Sequence, residues 1–430
     1  MSYDISRYEV EKLDAYASIQ PGFAFKSERF TDNLDDIPLV KGENVHQGYI
    51  DWPRAKHWPL DEYDSLSRYH LVAGDIVLAM DRPWVTAGLK WSYIKLHDPK
   101  SLLVQRVARI RAKGKLDQDY LRHIISSDYF ANYLQPIVTG VNVPHISGKQ
   151  IGDFRIPIPD LGVQRKIAAI LSAYDDLIET NKRRIALLEK MAEEIYREWF
   201  VRMRFPNHQN TKIIKGVPEG WQRKKFGEFC MLKRGYDLPS DLVEEGPYPV
   251  VASTSVKTFH KHYMVEPPVI TTGRSGSLGD VLMTHTKAWP LNTALYVREF
   301  FGNSPFLIFY TLKNMGLEKF NSGAGVPTLN RNHVNGIPMV IPEKNLQQRF
   351  DEIIEPIHKQ ADNFRQQNIN LTKTRDLLLP RLISGKLSVA DLDIQFPPSL
   401  CEETENVDRK ERASREQAQP LAISQERSKP

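Results

Sequence analysis

Cysteine is nearly absent from this chain of 430 residues: Cys230 and Cys401 stand far apart and have no metal-type spacing. That excludes a disulfide framework and a cysteine-built zinc site, and it fits a reduced cytoplasm. No run of eighteen apolar residues occurs, and the opening Met1-Ser-Tyr-Asp-Ile-Ser-Arg7 has no apolar core. Neither a membrane span nor a secretory leader is therefore expected. Charge of one sign does not dominate. The 58 Lys+Arg against 53 Asp+Glu permit a polyanionic partner without requiring one. The length suggests about three domains, each able to bury a core of ordinary size.

Catalytic patterns are missing too. A phosphate-cradling loop needs Gly, four residues, then Gly-Lys-Ser/Thr. Gly148-Lys149 is followed by Gln150 and preceded at the key position by Val143; Gly385-Lys386 is followed by Leu387 and preceded by Pro380. Gly273-Arg-Ser-Gly276-Ser-Leu-Gly279 lacks the strand–helix setting and the later acidic residue of a dinucleotide site. A tight loop turning Arg274 outward, suited to phosphate or a guanine edge, is the better reading. His260, His262 and His285 lack metal-ligand spacing. Asp81 with Asp98-Pro-Lys100 superficially fits the paired carboxylates and lysine of a nuclease, against a plain surface turn. No serine elbow or thiol–imidazole pair stands out. No catalytic residue, metal or cofactor is expected.

What the chain does contain is a duplication. Gly140-Val-Asn-Val-Pro144-His-Ile leads through Ile156-Pro-Ile-Pro159 to Gln164 and a long helical pattern. Gly323-Ala-Gly-Val-Pro327-Thr-Leu329 leads through Met339-Val-Ile-Pro342 to Gln347 and a second one, at a gapless offset of 183 (323 − 140). Two copies are too few for a solenoid, so a tandem pair of domain-plus-helix units is predicted.

The first helical segment spans 164–203, with apolar positions at Ile167, Ile170, Tyr174, Leu177, Ile185, Leu188, Ala192, Ile195 and Trp199. Steps of three and four mark a coiled-coil seam, on a rod roughly 60 Å long. The second repeats it at Phe350, Ile353, Ile357, Phe364, Leu371, Leu378 and Leu382, ending near Ile383. Two equal seams in one chain most simply pair with each other. Asn181, Gln360 and Asn368 fall at polar seam positions, where they fix register or leave the seam locally wet. Pro356 and Pro380 predict a kink or an offset start in the second helix.

Around these rods the chain reads as α+β. Strands are expected at Asp75–Ala79, Gln105–Ile110, Tyr248–Ala252, Val269–Thr272 and Ala294–Val297. Helices are expected at Asp119–Ser126 and Phe306–Leu312. The frames of the two domains agree, Ile19-Gln-Pro-Gly22 answering Leu232-Lys-Arg-Gly235 and Asp75-Ile-Val-Leu78 answering Pro268-Val-Ile-Thr271, while the loops differ. The expected division is a domain over 1–155, a helix over 156–205, a second domain over 206–342 and a helix over 343–393. A tail over 394–430 is rich in mixed charge, poor in aliphatics and expected to be disordered.

Two loop-rich heads on a paired rod suggest a reader of nucleic acid. Candidate contacts are Arg82, Lys90, Asn142, His145 and Lys149 in the first domain, and Lys257, Lys261, Arg274, Ser275, Asn330 and Arg331 in the second. Arginine and asparagine read guanine and adenine bidentately, while lysine mostly holds phosphate.

The landmarks together resemble the specificity subunit of type I restriction–modification enzymes. They are Gly22-Phe-Ala-Phe-Lys-Ser27, Ile37-Pro-Leu-Val40 with Gly42 and Asn44, Ala73-Gly-Asp-Ile76, Gly216-Val-Pro-Glu-Gly-Trp221, Thr272–Gly279, the two Val-Pro…Ile-Pro blocks, and Leu379-Pro-Arg-Leu-Ile-Ser-Gly385. The resemblance covers about residues 17–390. It implies two target-recognition domains, each reading half of a split double-stranded DNA site. It implies conserved helices that pair as an antiparallel coiled coil, act as a ruler and give the molecule a pseudo-two-fold repeat. It further implies two methyltransferase subunits docked on those helices, and ATP-dependent restriction subunits that translocate and cut. Part of the docking surface is expected at Glu179, Arg183, Arg184, Glu193 and Arg197. Because the loops differ, the two half-sites should differ. The rivals are a self-contained nuclease using Asp81, Asp98 and Lys100, and a coiled-coil spacer whose heads bind protein.

Overall fold

Ile76-Val-Leu-Ala79 is apolar at four successive positions, and all four are buried, the mark of an inner strand covered on both faces. Its surroundings, and those of its counterpart Val269–Gly273, define the architecture. The structure is a computed structural model that describes residues 7–85, 88–138, 144–323, 325–397 and 400. The chain divides into two units, Met1–Thr180 with Gln367–Pro430, and Asn181–Gln366.

In the first unit the strands are β1 (Ala17–Pro21), β2 (Ile37–Val40), β3 (His57–Trp58), β4 (His70–Leu71), β5 (Ile76–Ala79), β6 (Trp91–Tyr93), β7 (Ser101–Leu103) and β8 (Val107–Ala112). One antiparallel sheet has the order β6-β5-β8-β1 and a second sheet the order β3-β2-β7-β4, with β2 and β7 parallel. The second unit has β9 (Met231–Arg234), β10 (Tyr248–Val251), β11 (Val256–His260), β12 (Val269–Gly273), β13 (Val281–Thr284), β14 (Trp289–Pro290) and β15 (Ala294–Glu299). Its sheets run β13-β12-β15-β9 and β11-β10-β14, with β10 and β14 parallel. The orders match strand for strand, except that the first unit carries the extra edge strand β4. The paired landmarks Gly22 and Gly235 have one physical cause. A Cβ would lie 2.2 Å from the Val104 carbonyl oxygen in the first case and 2.2 Å from that of Leu291 in the second. Only glycine admits so close an approach of backbones.

Each unit then joins its sheet to the helices through a capped helix and a buried glutamine. Helix α1 (Gln118–Ile125) starts at Asp117, whose carboxylate accepts from Tyr120 N; helix α2 (Pro305–Asn314) starts at Ser304, whose Oγ accepts from Leu307 N. Gln164 Oε1 accepts from Asp117 N at 2.8 Å, and its Nε2 donates to Pro159 O at 2.7 Å and Lys115 O at 2.8 Å. Gln347 repeats this clamp: Oε1 accepts from Ser304 N at 2.9 Å, and Nε2 donates to Pro342 O at 2.8 Å and Asn303 Oδ1 at 3.2 Å. Both glutamines are buried.

The central helix runs Leu161–Tyr196 and widens into a π turn at Arg197–Val201; the C-terminal helix runs Lys344–Ile383. In the first unit Arg375 pairs with Asp175, and Asn368 Nδ2 donates to Ile178 O at 3.3 Å, so one helix ascends as the other descends. In the second unit Arg365 pairs with Glu189, and Phe350 packs against Tyr196 and Trp199, in the same antiparallel sense. Ile167, Leu171, Leu382 and Ile383 enter the core of the first unit; Ala192, Tyr196, Phe350 and Ile354 enter that of the second.

The expected seam needs correction at three positions. Leu177, Ile353 and Gln360 are exposed, and the next residues, Ile178, Ile354 and Ala361, are buried instead. A straight helix of 3.6 residues per turn drifts against a 3.5-residue repeat, so a seam read strictly slips by one position. Asn181 is buried as expected and Asn368 is half-buried. No interruption occurs at Pro356 or Pro380. Pro356 lies on the exposed face, where the carbonyl it leaves without a donor meets water, and Pro380 lies in the last turn. Of the expected tail, only 394–397 and 400 fall within the described residues.

Candidate nucleic-acid interface

The segments Pro144–Ile146 and Pro327–Leu329 close onto the ends of the two inner strands. In the first unit Ile146 N donates to Met80 O at 2.8 Å and Arg82 N to Pro144 O at 2.9 Å, with Asp81 bridged to His145. In the second, Leu329 N donates to Arg274 O at 2.8 Å and Gly276 N to Pro327 O at 2.9 Å, with Ser275 bridged to Thr328. The backbone arrangement is the same, two residues past the end of β5 and two past the end of β12. The side chains it presents are not.

On the first bridge stand Asp81, Arg82 and His145. Asp81 is half-buried; its Oδ1 meets His145 Nδ1 and its Oδ2 meets Arg106 Nη1 at 2.9 Å. Arg82 and His145 are exposed, and Arg82 has a left-handed backbone at φ 43°. Ser147 caps the short helix Gly148–Gly152, on which Lys149 is exposed. The bridge carries mixed charge. Asn142 lies outside the described residues.

On the second bridge stand Arg274, Ser275 and Thr328. Arg274 Nη1 donates to Asn292 O at 3.1 Å, and Ser253 Oγ donates to the carbonyls of Ser275 and Thr293, each at 2.8 Å. Asn330 caps the short helix Arg331–Asn335 by accepting from Asn332 N, and Arg331 is exposed beside it. Arg274, Ser275, Asn330 and Arg331, spread over 57 sequence positions (331 − 274), therefore form one group. Lys257 is exposed on β11, and Lys261 just after it pairs with Glu244 at 3.3 Å. Among the described residues these lysines make no hydrogen bond or ion pair with the Arg274 group.

Lys90 is a correction. It is buried, its ammonium donates to the Gly42 carbonyl, and burial holds it below the ordinary lysine value. It ties the end of β6's hairpin to the β2 loop and does not face outward. The nuclease carboxylates are separately engaged as well. Asp98 accepts from Trp52 Nε1 at 3.0 Å and Lys95 N at 2.7 Å, as a turn cap, while Asp81 serves His145 and Arg106. Of the histidines, His260 is buried and its Nδ1 lies 3.0 Å from the Glu244 carbonyl, while the ring of His285 packs near His358.

The expected docking residues divide. Glu179 is half-buried and Arg183 exposed; Arg184 stacks its guanidinium 5.4 Å over Phe364. Glu193 and Arg197 are used within the second unit. They pair with each other at 2.6 Å, Glu193 meets Lys313 at 2.9 Å, and Arg197 Nε donates to Asn314 Oδ1 at 3.1 Å. Together they fasten the central helix to α2, along a cavity of about 290 Å³ lined also by Glu189, Lys190 and Glu194.

Arg106 is the residue that reading the sequence missed. It occupies a left-handed turn at φ 67° between β7 and β8, with its side chain 69% exposed. Its single local signal was its place at the start of the strand pattern Gln105–Ile110, next to a polar Gln105. Among the described residues no helix is long and apolar enough to cross a membrane.

Comparison with known proteins gives the family and the fold. The family described as the type I restriction modification DNA specificity domain matches twice, over residues 6–190 and 218–373. The specificity subunit of the type I restriction enzyme MjaIX from Methanocaldococcus jannaschii is 26% identical over 316 residues, covering 67% of this chain and 73% of that protein. The EcoAI specificity subunit from Escherichia coli is 34% identical over 170 residues, 39% of this chain and 28% of its own length. The fold is also that of the crystallised type I restriction–modification S subunit from M. genitalium, at a TM-score of 0.52 and 16% identity, covering 88% and 97% of the two chains.

Proposed function

The chain belongs to the type I restriction–modification DNA specificity family, and from that premise we propose that it is a non-catalytic reader of double-stranded DNA. Each unit reads one half of a bipartite site. The observation that carries this is the duplicated bridge: one backbone arrangement offers Asp81, Arg82 and His145 in the first unit and Arg274, Ser275 and Thr328 in the second. Different donor and acceptor sets select different base edges, so the target is asymmetric. Arg82, His145 and Lys149 serve one half-site. Arg274, Ser275, Asn330 and Arg331 serve the other, with Lys257 and Lys261 on phosphate. Most of the affinity comes from phosphate contacts and falls steeply with salt.

The division proposed is 1–155 and 206–342 for recognition, 156–205 and 343–393 for spacing and docking, and a tail from 394. Two methyltransferase subunits dock on the helices, with Glu179, Arg183 and Arg184 in the contact, and ATP-dependent restriction subunits join the complex in the cytoplasm. To test the reading, the chain is co-expressed with its neighbouring methyltransferase and methylated adenines are mapped across the host genome. A split motif of two unlike halves at fixed spacing is expected, and exchanging 206–342 should change one half alone. A complex that forms and methylates without any split motif would sink the reading.

A further inference from the structure

We propose that Arg106 reads a guanine in the half-site of the first unit and that Asp81 is its positioning residue. This rests on the DNA-reading function above. Arg106 and Arg82 are both non-glycine residues in left-handed backbone conformations, and both border the same bridge. L-residues seldom adopt that conformation, and it concentrates where a side chain has to be aimed. The aim is fixed twice. Met80 N donates to Arg106 O at 2.8 Å, locking its backbone to the end of β5, and Asp81 Oδ2 takes Nη1 at 2.9 Å. Asp81 is the only polar partner of the guanidinium among the described residues. The Nε and Nη2 edge is therefore left for a ligand.

That edge is the planar fork that matches the O6 and N7 acceptors of guanine. A tethered guanidinium loses less side-chain freedom on binding than a free one, which favours a specific contact. The neighbouring carboxylate meanwhile repels phosphate, so a backbone contact is the poorer fit for this arginine. In the second unit the bridge has no acid: Ser275 stands opposite Thr328, and Arg274 is held by the Asn292 carbonyl instead. On the bridge itself, a carboxylate that holds an arginine is thus found in the first unit and not in the second.

The test is methylation mapping with the full chain co-expressed with its methyltransferase, comparing wild type, Arg106→Ala, Arg106→Lys and Asp81→Asn. If wild type gives no split motif, the function proposed above fails, whatever the variants do. Given a split motif, Arg106→Ala should relax one guanine position in one half, by roughly tenfold to a hundredfold in preference, and leave the other half intact. Arg106→Lys, which keeps the charge but not the fork, should relax the same position, and Asp81→Asn should relax it less. An unchanged motif with methylation lowered evenly at all sites would make Arg106 a phosphate or structural residue and overturn the proposal. So would retention of guanine by Arg106→Lys. Relaxation by both Arg106 variants without any effect of Asp81→Asn would overturn the role given to Asp81.

Discussion

In the first unit His123 meets the central helix through Ser172 Oγ at 3.1 Å, with Asp175 Oδ2 3.9 Å from its other ring nitrogen. In the second unit Tyr310 meets the C-terminal helix through His358 Nε2 at 2.8 Å. These are equivalent places: His123 and Tyr310 each stand six residues beyond the N-cap held by the buried glutamine, and Asp175 and His358 are related by the repeat of 183. The glutamine clamps kept their chemistry and the joint next to them exchanged it on both sides at once. A backbone N–H or carbonyl must be matched in any copy, and a side-chain amide, with its acceptor oxygen and donor nitrogen, matches both. A side-chain pair needs only to match itself.

The largest effect is expected where the units are the same. Gln164→Ala and Gln347→Ala each leave an N-cap amide and a buried proline carbonyl without partners, at about 3 kcal/mol by the cost of orphaned groups. Denaturant unfolding followed in each unit should show similar losses. A large loss for one and none for the other would end the equivalence.

Next comes the joint where they differ. Burial holds His358 down to about 4. Its folded value lies below the ordinary one, so the stability from the neutral ring is complete above about pH 6.5 and is lost as pH falls towards 4. At most about 3 kcal/mol is involved. Burial raises Asp351 to about 6, which has the opposite sign: its contribution is present below about pH 4 and is lost as pH rises through 6. His358→Phe should lower the melting temperature at pH 7 by orphaning Tyr310, and should flatten its fall between pH 6.5 and 5. An unchanged slope would exclude His358 as the titrating group.

The smallest contrast lies between the two interhelical ion pairs. The side chains of Asp175 and Arg375 are 31% and 29% exposed, against 51% and 45% for Glu189 and Arg365. Asp175→Ala should cost about 1–2 kcal/mol and Glu189→Ala under about 1 kcal/mol. Equal losses in thermal unfolding would show that exposure does not separate them.

Much of this was legible beforehand. The strands expected at Asp75–Ala79 and Val269–Thr272, the helices expected at Asp119–Ser126 and Phe306–Leu312, and both long helices followed from apolar runs and periodicity and are found within a few residues of those bounds, while the cap at Ser304 was not foreseen. The pairing of Gln164 with Gln347 was visible as a matched position, though nothing in it announced a clamp. The exposure of Leu177, Ile353 and Gln360 was not legible, because a drift of about 0.1 residue per turn shows only once it has accumulated along a packed helix. Lys90 looked like any loop lysine until the Gly42 carbonyl was seen to receive it.

The sequence by itself determined the duplication, the element order and the absence of a built-in catalytic pattern, since these are properties of residues taken in line and of local periodicity. Only the tertiary structure decided which cations face outward and which carboxylate holds which arginine. Asp81, Arg106 and His145 lie on three separated stretches, and their meeting depends on how β5, β8 and the Val-Pro block pair, which no local propensity encodes.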